Sequence, residues 1–136
     1  MMWKHSAVQT VAGISLGAVV GALCRYYLGI WFAQSFGSAF PYGTMFINVT
    51  GCFVMGFFAT FSLMRVAAIH PHLRLMITTG FLGSYTTFSS YELDTAKLLS
   101  RSLESGLIYW GGTALFGMMS LQLGIALAEM SRIREP

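Results

Sequence analysis

Uncharged stretches dominate this chain. Lys, Arg, Asp and Glu are absent from 6–24, 26–64, 75–91 and 105–128. A helix needs about 20 apolar residues to cross roughly 30 Å of hydrocarbon. The second stretch is nearly twice that long, and turn formers divide it: Gln34-Ser35-Phe36-Gly37-Ser38, then Pro41-Tyr42-Gly43. The pattern therefore predicts four membrane spans, near 6–32, 43–64, 73–97 and 105–129, in one all-α transmembrane domain. Composition agrees. Charged residues make up 10% of the 136 and apolar ones 55%, against about 25% charged in ordinary soluble domains.

Polar residues inside such spans are costly and mark function. The third span is the unusual one. Gly80 and Gly83 lead into Ser84, Thr86, Thr87, Ser89 and Ser90. Glycine costs about 1 kcal/mol in a helix interior, and Ser and Thr offer the backbone competing hydrogen bonds. The expectation is a helix break within 83–87, whose freed carbonyls can hold a cation; the alternative is an unbroken helix with its hydroxyls bonded back to their own turn. Phe88 and Tyr91 lie three apart and share a face if helix resumes. They either pack in lipid or turn their positive ring edges to a small anion.

Asn48 is an interhelical clamp or an anion donor. On the fourth span Tyr109, Thr113, Gly117 and Ser120 follow one helical face, for packing or for solvating an anion. Arg25 either snorkels to the interface or draws anions into a vestibule. Gly13, Gly17 and Gly21 form a stripe for close helix packing, within or between subunits. Glu92, Asp94 and Glu104 read as solvated span ends.

Several chemistries lack their residues. No acidic side chain lies deep in a span, as proton-coupled carriers of the small multidrug-resistance type require in the first. No nucleotide-binding loop, zinc motif, nucleophile elbow or potassium filter is present, so an enzyme is disfavoured. His70 and His72 lack a third ligand for a metal. Cys24 and Cys52 fall within spans as inert thiols. Lys4 and the apolar run after it do not continue into a clear signal-peptide cleavage site. A non-transporting membrane subunit is the third class left open.

Four spans put both termini on one side, with Lys4, Arg65, Arg74, Arg132 and Arg134; Arg25, Lys97 and Arg101 lie on the other. Positive residues favour the cytoplasm, but this split instructs only weakly. It suits either one orientation with termini inside or dual insertion, which permits an antiparallel homodimer.

Gly-Thr-Met-Phe-Ile-Asn-Val-Thr-Gly at 43–51, Gly-Phe-Leu-Gly-Ser-Tyr-Thr-Thr-Phe-Ser-Ser-Tyr at 80–91 and Gly21-Ala22-Leu23-Cys24-Arg25-Tyr26 resemble, in order, the second-, third- and first-helix signatures of the Fluc/CrcB fluoride channels. The resemblance covers essentially the whole chain. It implies an antiparallel, dual-topology homodimer in a bacterial inner membrane, passively exporting cytoplasmic fluoride through two pathways. It implies a central structural sodium held by the backbone carbonyls of Gly83 and Thr86. The fluoride path would use Asn48, Phe88 and position 91, hydroxyls such as Thr87 and Ser89, and a fourth-helix track near Tyr109 and Thr113, with Arg25 as the matching arginine. Position 91 departs from the family, which usually has Phe there. Tyr91 keeps the ring edge and adds a hydroxyl that would act as an extra donor or perturb the path.

Overall fold

The computed structural model describes residues 2–65 and 69–133, and side chains over 7–65 and 69–131. Arg134 lies outside the described residues, and Lys4 and Arg132 lie where only the backbone is described. The described residues are all-helical: α1 (Met2–Phe36), α2 (Tyr42–Met64), α3 (Pro71–Leu75), a π-helical segment (Met76–Leu82), α4 (Gly83–Tyr85), α5 (Phe88–Arg101) and α6 (Leu103–Ile133). Three of these helices carry stretches long and apolar enough to cross a membrane: Ala7–Phe36, Tyr42–Met64 and Leu103–Ser131. The remaining segment, 71–101, is bent and interrupted.

Local chemistry explains the pieces. Pro71 starts α3 at a position where its missing N–H costs nothing. Three residues past α3, the Thr78 hydroxyl donates to the Arg74 carbonyl at 2.9 Å. That bond competes for a helix acceptor where the π segment replaces α-helix. Thr86 donates both its N–H, at 3.1 Å, and its hydroxyl, at 2.9 Å, to the Leu82 carbonyl. Thr86 and Thr87 are extended, with ψ of 155° and 112°. The break expected within 83–87 thus falls at 86–87. Helix resumes because the Thr87 hydroxyl accepts the Ser90 N–H at 3.2 Å, an N-cap.

Two glycine contacts set the packing. A side chain at Gly17 would meet the Met76 carbonyl, and one at Gly21 would meet that of Phe81. The glycine stripe of α1 therefore receives the backbone of the π segment within one subunit. Gly56 and Gly124 likewise bring α2 and α6 together, each against the other helix's backbone at Leu121 and Phe53. Ile47, Leu82 and Tyr85 form one buried cluster and Tyr91, Leu98 and Tyr109 a second. Most large apolar side chains of α1 and α6 point outward, as in a helix bathed by lipid.

The helix order puts the start of α1 beside α3, where Thr10 and His72 share a hydrogen bond of 2.7 Å. At the opposite end, the 37–41 turn and the end of α5 surround a cavity of about 260 Å³ that includes Lys97 and Arg101. Gly37, at φ 80°, makes the turn there.

Candidate functional site

The break leaves backbone groups without helical partners. In a continuous helix the carbonyls of 83–86 would bond the N–H groups of 87–90. Asn48, nearly two turns into α2, repairs part of this loss. Its amide donates to the Thr87 carbonyl at 3.0 Å, and its oxygen accepts the Thr87 N–H at 2.8 Å. One carboxamide thus satisfies both backbone polar groups of Thr87, which belong to the two successive peptide groups flanking its Cα. The two Thr87 partners fix which atom of the Asn48 amide is nitrogen, because an N–H must donate and a carbonyl must accept. Nearby, the Thr50 and Tyr85 hydroxyls share a hydrogen bond of 2.9 Å, which ties α2 to α4.

Beside this clamp runs an open groove of about 490 Å³. Asn48, Thr86, Thr87, Phe88, Tyr91 and Thr113 all line it, so six residues singled out from three different spans converge. Phe88 is 74% exposed and Tyr91 only 7%, with their rings 5.9 Å apart. The Tyr91 hydroxyl donates to the Trp110 carbonyl at 2.6 Å. That hydrogen is therefore already committed to the backbone of α6.

Tyr109 and Thr113 are 1% and 5% exposed, and their hydroxyl oxygens are buried without a hydrogen-bond partner. Unpaired buried hydroxyls cost about 1–3 kcal/mol each, so these two, among the described residues, are left open to a further partner. Tyr109 sits behind Tyr91, ring to ring at 5.7 Å. Ser89 is exposed and does not line the groove, though its hydroxyl lies 3.3 Å from that of Thr87. Ser120 is likewise not among the lining residues.

Arg25 occupies a second cavity, of about 560 Å³, with Thr44, Ile47, Thr87 and Ser90. Among the described residues, the carboxylates leave Arg25 unpaired: Asp94 pairs with Lys97 at 3.7 Å. Asp94 is more than a solvated span end, since it accepts the Thr44 hydroxyl at 2.7 Å. Gly83 is exposed on the surface of the broken segment. Among the described residues no group of three or more His, Cys, Asp or Glu is placed to hold a metal; His70 and His72 stack at 4.8 Å.

Reading the sequence missed some lining residues. Gly51, Cys52, Met55, Ala114, Met118 and Leu121 complete the groove together with Gly117. Gly51 sits four before Met55 on α2 and three after Asn48, so the helical face of Asn48 carried that signal. Nothing in the sequence ties Tyr91 to the Trp110 backbone.

The model of the family described as "CrcB-like protein, Camphor Resistance (CrcB)" matches residues 12–125. A protein of Trichormus variabilis named "Fluoride-specific ion channel FluC" is 52% identical over 130 residues, 95% of either chain. One of the same name from Synechococcus sp. is 52% identical over 120 residues, 88% of this chain and 92% of its own. One from Rhizobium meliloti is 41% identical over 115 residues, 84% and 91% respectively.

Proposed function

The chain belongs to the CrcB-like family, whose members are ion channels and not enzymes, and on that premise we propose that it conducts fluoride passively out of the bacterial cytoplasm as an antiparallel homodimer in the inner membrane. The observation that carries this reading is the convergence, beside a helix break, of one carboxamide, two aromatic rings and buried hydroxyls lacking a partner.

Fluoride is small, strongly hydrated and a strong acceptor, so its water must be replaced by donors as it enters a narrow path. The Asn48 amide keeps one N–H beyond the one it gives to Thr87. Tyr109 and Thr113 each have an uncommitted hydroxyl. Phe88 and Tyr91 supply ring edges, which are electropositive, and Thr87 adds a hydroxyl at the groove, with that of Ser89 3.3 Å from it. Arg25, without a carboxylate partner among the described residues, raises the local concentration of anions in the neighbouring cavity. Chloride is larger and a weaker acceptor, and recovers less of its hydration energy from the same donors.

Two features favour a second copy. Gly83 and the break expose backbone that lipid cannot satisfy, and a partner subunit can cover it. The basic residues split only five to three between the two sides that the spans predict, a weak bias compatible with insertion in both directions. A structural sodium fits the same place. Gly83 and Thr86 present carbonyl oxygens that the break releases from helical bonding, and oxygen donors suit a hard monovalent cation. Bound there, sodium would supply positive potential and fix the break.

The test uses purified protein in sealed liposomes loaded with potassium fluoride, with a fluoride electrode outside and a potassium ionophore as shunt. Fluoride release without chloride release supports the channel. No release from well-folded dimer refutes it.

A further inference from the structure

The end of α5 carries two cations that line neither the aromatic groove nor the Arg25 cavity. Lys97 and Arg101 lie four residues apart, on one face of the helix. Both line the cavity of about 260 Å³ beside the 37–41 turn. Asp94 lines it too, 3.7 Å from Lys97, and already accepts the Thr44 hydroxyl at 2.7 Å. Arg101 is exposed, and among the described residues no carboxylate pairs with it. Two cations against one carboxylate leave the cavity with one net positive charge.

Aromatic rings gather around this place. Phe32, Phe40 and Tyr42 are part of the lining. Phe36 stands between Phe32 and Tyr42, at 5.6 and 5.9 Å between ring centroids, and Trp31 lies 6.1 Å from Phe36. Trp31, Phe36 and Tyr42 are all exposed. They mark the end of the span in α1 and the start of the span in α2, and tryptophan and tyrosine concentrate at the level of lipid headgroups. We propose that this cavity binds the headgroup of an anionic phospholipid that carries one negative charge. The site depends on the chain spanning a membrane and not on which ion crosses it.

The chemistry favours a lipid over a soluble anion. Pockets that enclose a whole drug-sized ligand run from about 300 to 1,000 Å³; this smaller one suits a headgroup whose acyl chains stay outside, against the exposed rings. Arg101, free of a carboxylate, can offer its fork to two phosphate oxygens, while Lys97 adds a point charge that it shares with Asp94. A soluble phosphomonoester carries nearly two charges at neutral pH, meets the Asp94 carboxylate and gains nothing from the rings. A phosphocholine headgroup brings its own ammonium, which cancels the attraction. Basic pockets between membrane helices bind anionic headgroups for these reasons.

The experiment follows the unfolding temperature of the purified protein in a nonionic detergent. Dioleoyl phosphatidylglycerol, dioleoyl phosphatidylcholine or glycerol 3-phosphate is titrated in. Phosphatidylglycerol should raise the unfolding temperature saturably, and the other two should not at matched concentrations. Lys97→Gln and Arg101→Gln should each weaken the apparent affinity about fivefold, and together about thirtyfold, the factors for one and two cations at a lipid surface. The charge-keeping pair Lys97→Arg with Arg101→Lys should bind as wild type does. The site is overturned if phosphatidylcholine stabilises as well as phosphatidylglycerol, or if the double Gln variant keeps wild-type affinity. Equal stabilisation by glycerol 3-phosphate overturns the lipid as its ligand. Should the double variant not fold, the single variants carry the comparison, and wild-type affinity in both overturns the site. Absent fluoride release from the wild type refutes the channel reading and leaves these titrations untouched.

Discussion

Tyr91 reaches across the α5–α6 seam and donates its hydroxyl to the Trp110 carbonyl at 2.6 Å. The residue is nearly buried, packed against Tyr109 on one side and Phe88 on the other. The hydroxyl thus anchors the ring in the wall of the groove, with its oxygen committed to α6. Tyr91→Phe should therefore keep fluoride flux within about threefold of wild type while lowering stability by roughly 1 kcal/mol, the net worth of one hydrogen bond. Thermal unfolding in detergent and liposome efflux measure the two separately. Flux that collapses in Tyr91→Phe at unchanged assembly contradicts this division of labour.

Phe88 presents the opposite case. It is 74% exposed in the single chain, so its replacement removes little packing. Phe88→Ile should leave stability within about 0.5 kcal/mol, as for surface positions. Fluoride efflux should drop by more than about tenfold, since an aromatic interaction of ~1.5 kcal/mol alone accounts for that factor. The contrast between unfolding temperature and efflux rate is the check, and a conducting Phe88→Ile dimer rejects the pore role of this ring.

The features that sequence made legible share a physical origin. Charge-free length marks α1, α2 and α6, because hydrocarbon tolerates few charges. The break was legible in Gly83 through Ser90, because hydroxyls and glycines both weaken a helix. The partners of Asn48 and Tyr91 were not. Each bonds backbone atoms distant in sequence, Thr87 and Trp110, and a main-chain acceptor leaves no residue-type signature at its own position. The π segment was hidden for a similar reason, as Thr78 bonding back to Arg74 looks in sequence like any helical threonine. The glycine stripe of α1 announced close packing without its partner, which is the irregular backbone of the π segment.

That packing gives a stability prediction free of any assumption about transport. A Cβ at Gly17 would overlap the Met76 carbonyl and crowd the Phe81 N–H, whereas one at Gly29 meets nothing within 4 Å. Gly17→Val should cost at least about 3 kcal/mol, the upper range for overpacking, because the obstacle is backbone and cannot rotate away. Gly29→Ala should be neutral or slightly stabilising through helix propensity. Unfolding temperature and the monodispersity of purified protein report both, and equal behaviour of the two variants counts against the α1–π contact.

Arg25 yields a prediction that depends on salt. It stands half-buried in its cavity with the hydroxyl-bearing residues Thr44, Thr87 and Ser90. Among the described residues no carboxylate neutralises it. A free positive charge at a cavity mouth attracts anions over a distance set by screening, about 30 Å at 0.01 M salt and about 3 Å at 1 M. Arg25→Gln should therefore slow fluoride efflux several-fold at low ionic strength, and the deficit should shrink as an impermeant salt is added. Arg25→Lys keeps the charge and should restore efflux at every salt concentration. If instead Gln and Lys are equally impaired and salt changes neither, the guanidinium acts by its shape and hydrogen bonds rather than by its charge. The salt series on the three proteins, with dimer assembly monitored throughout, decides between attraction and scaffolding.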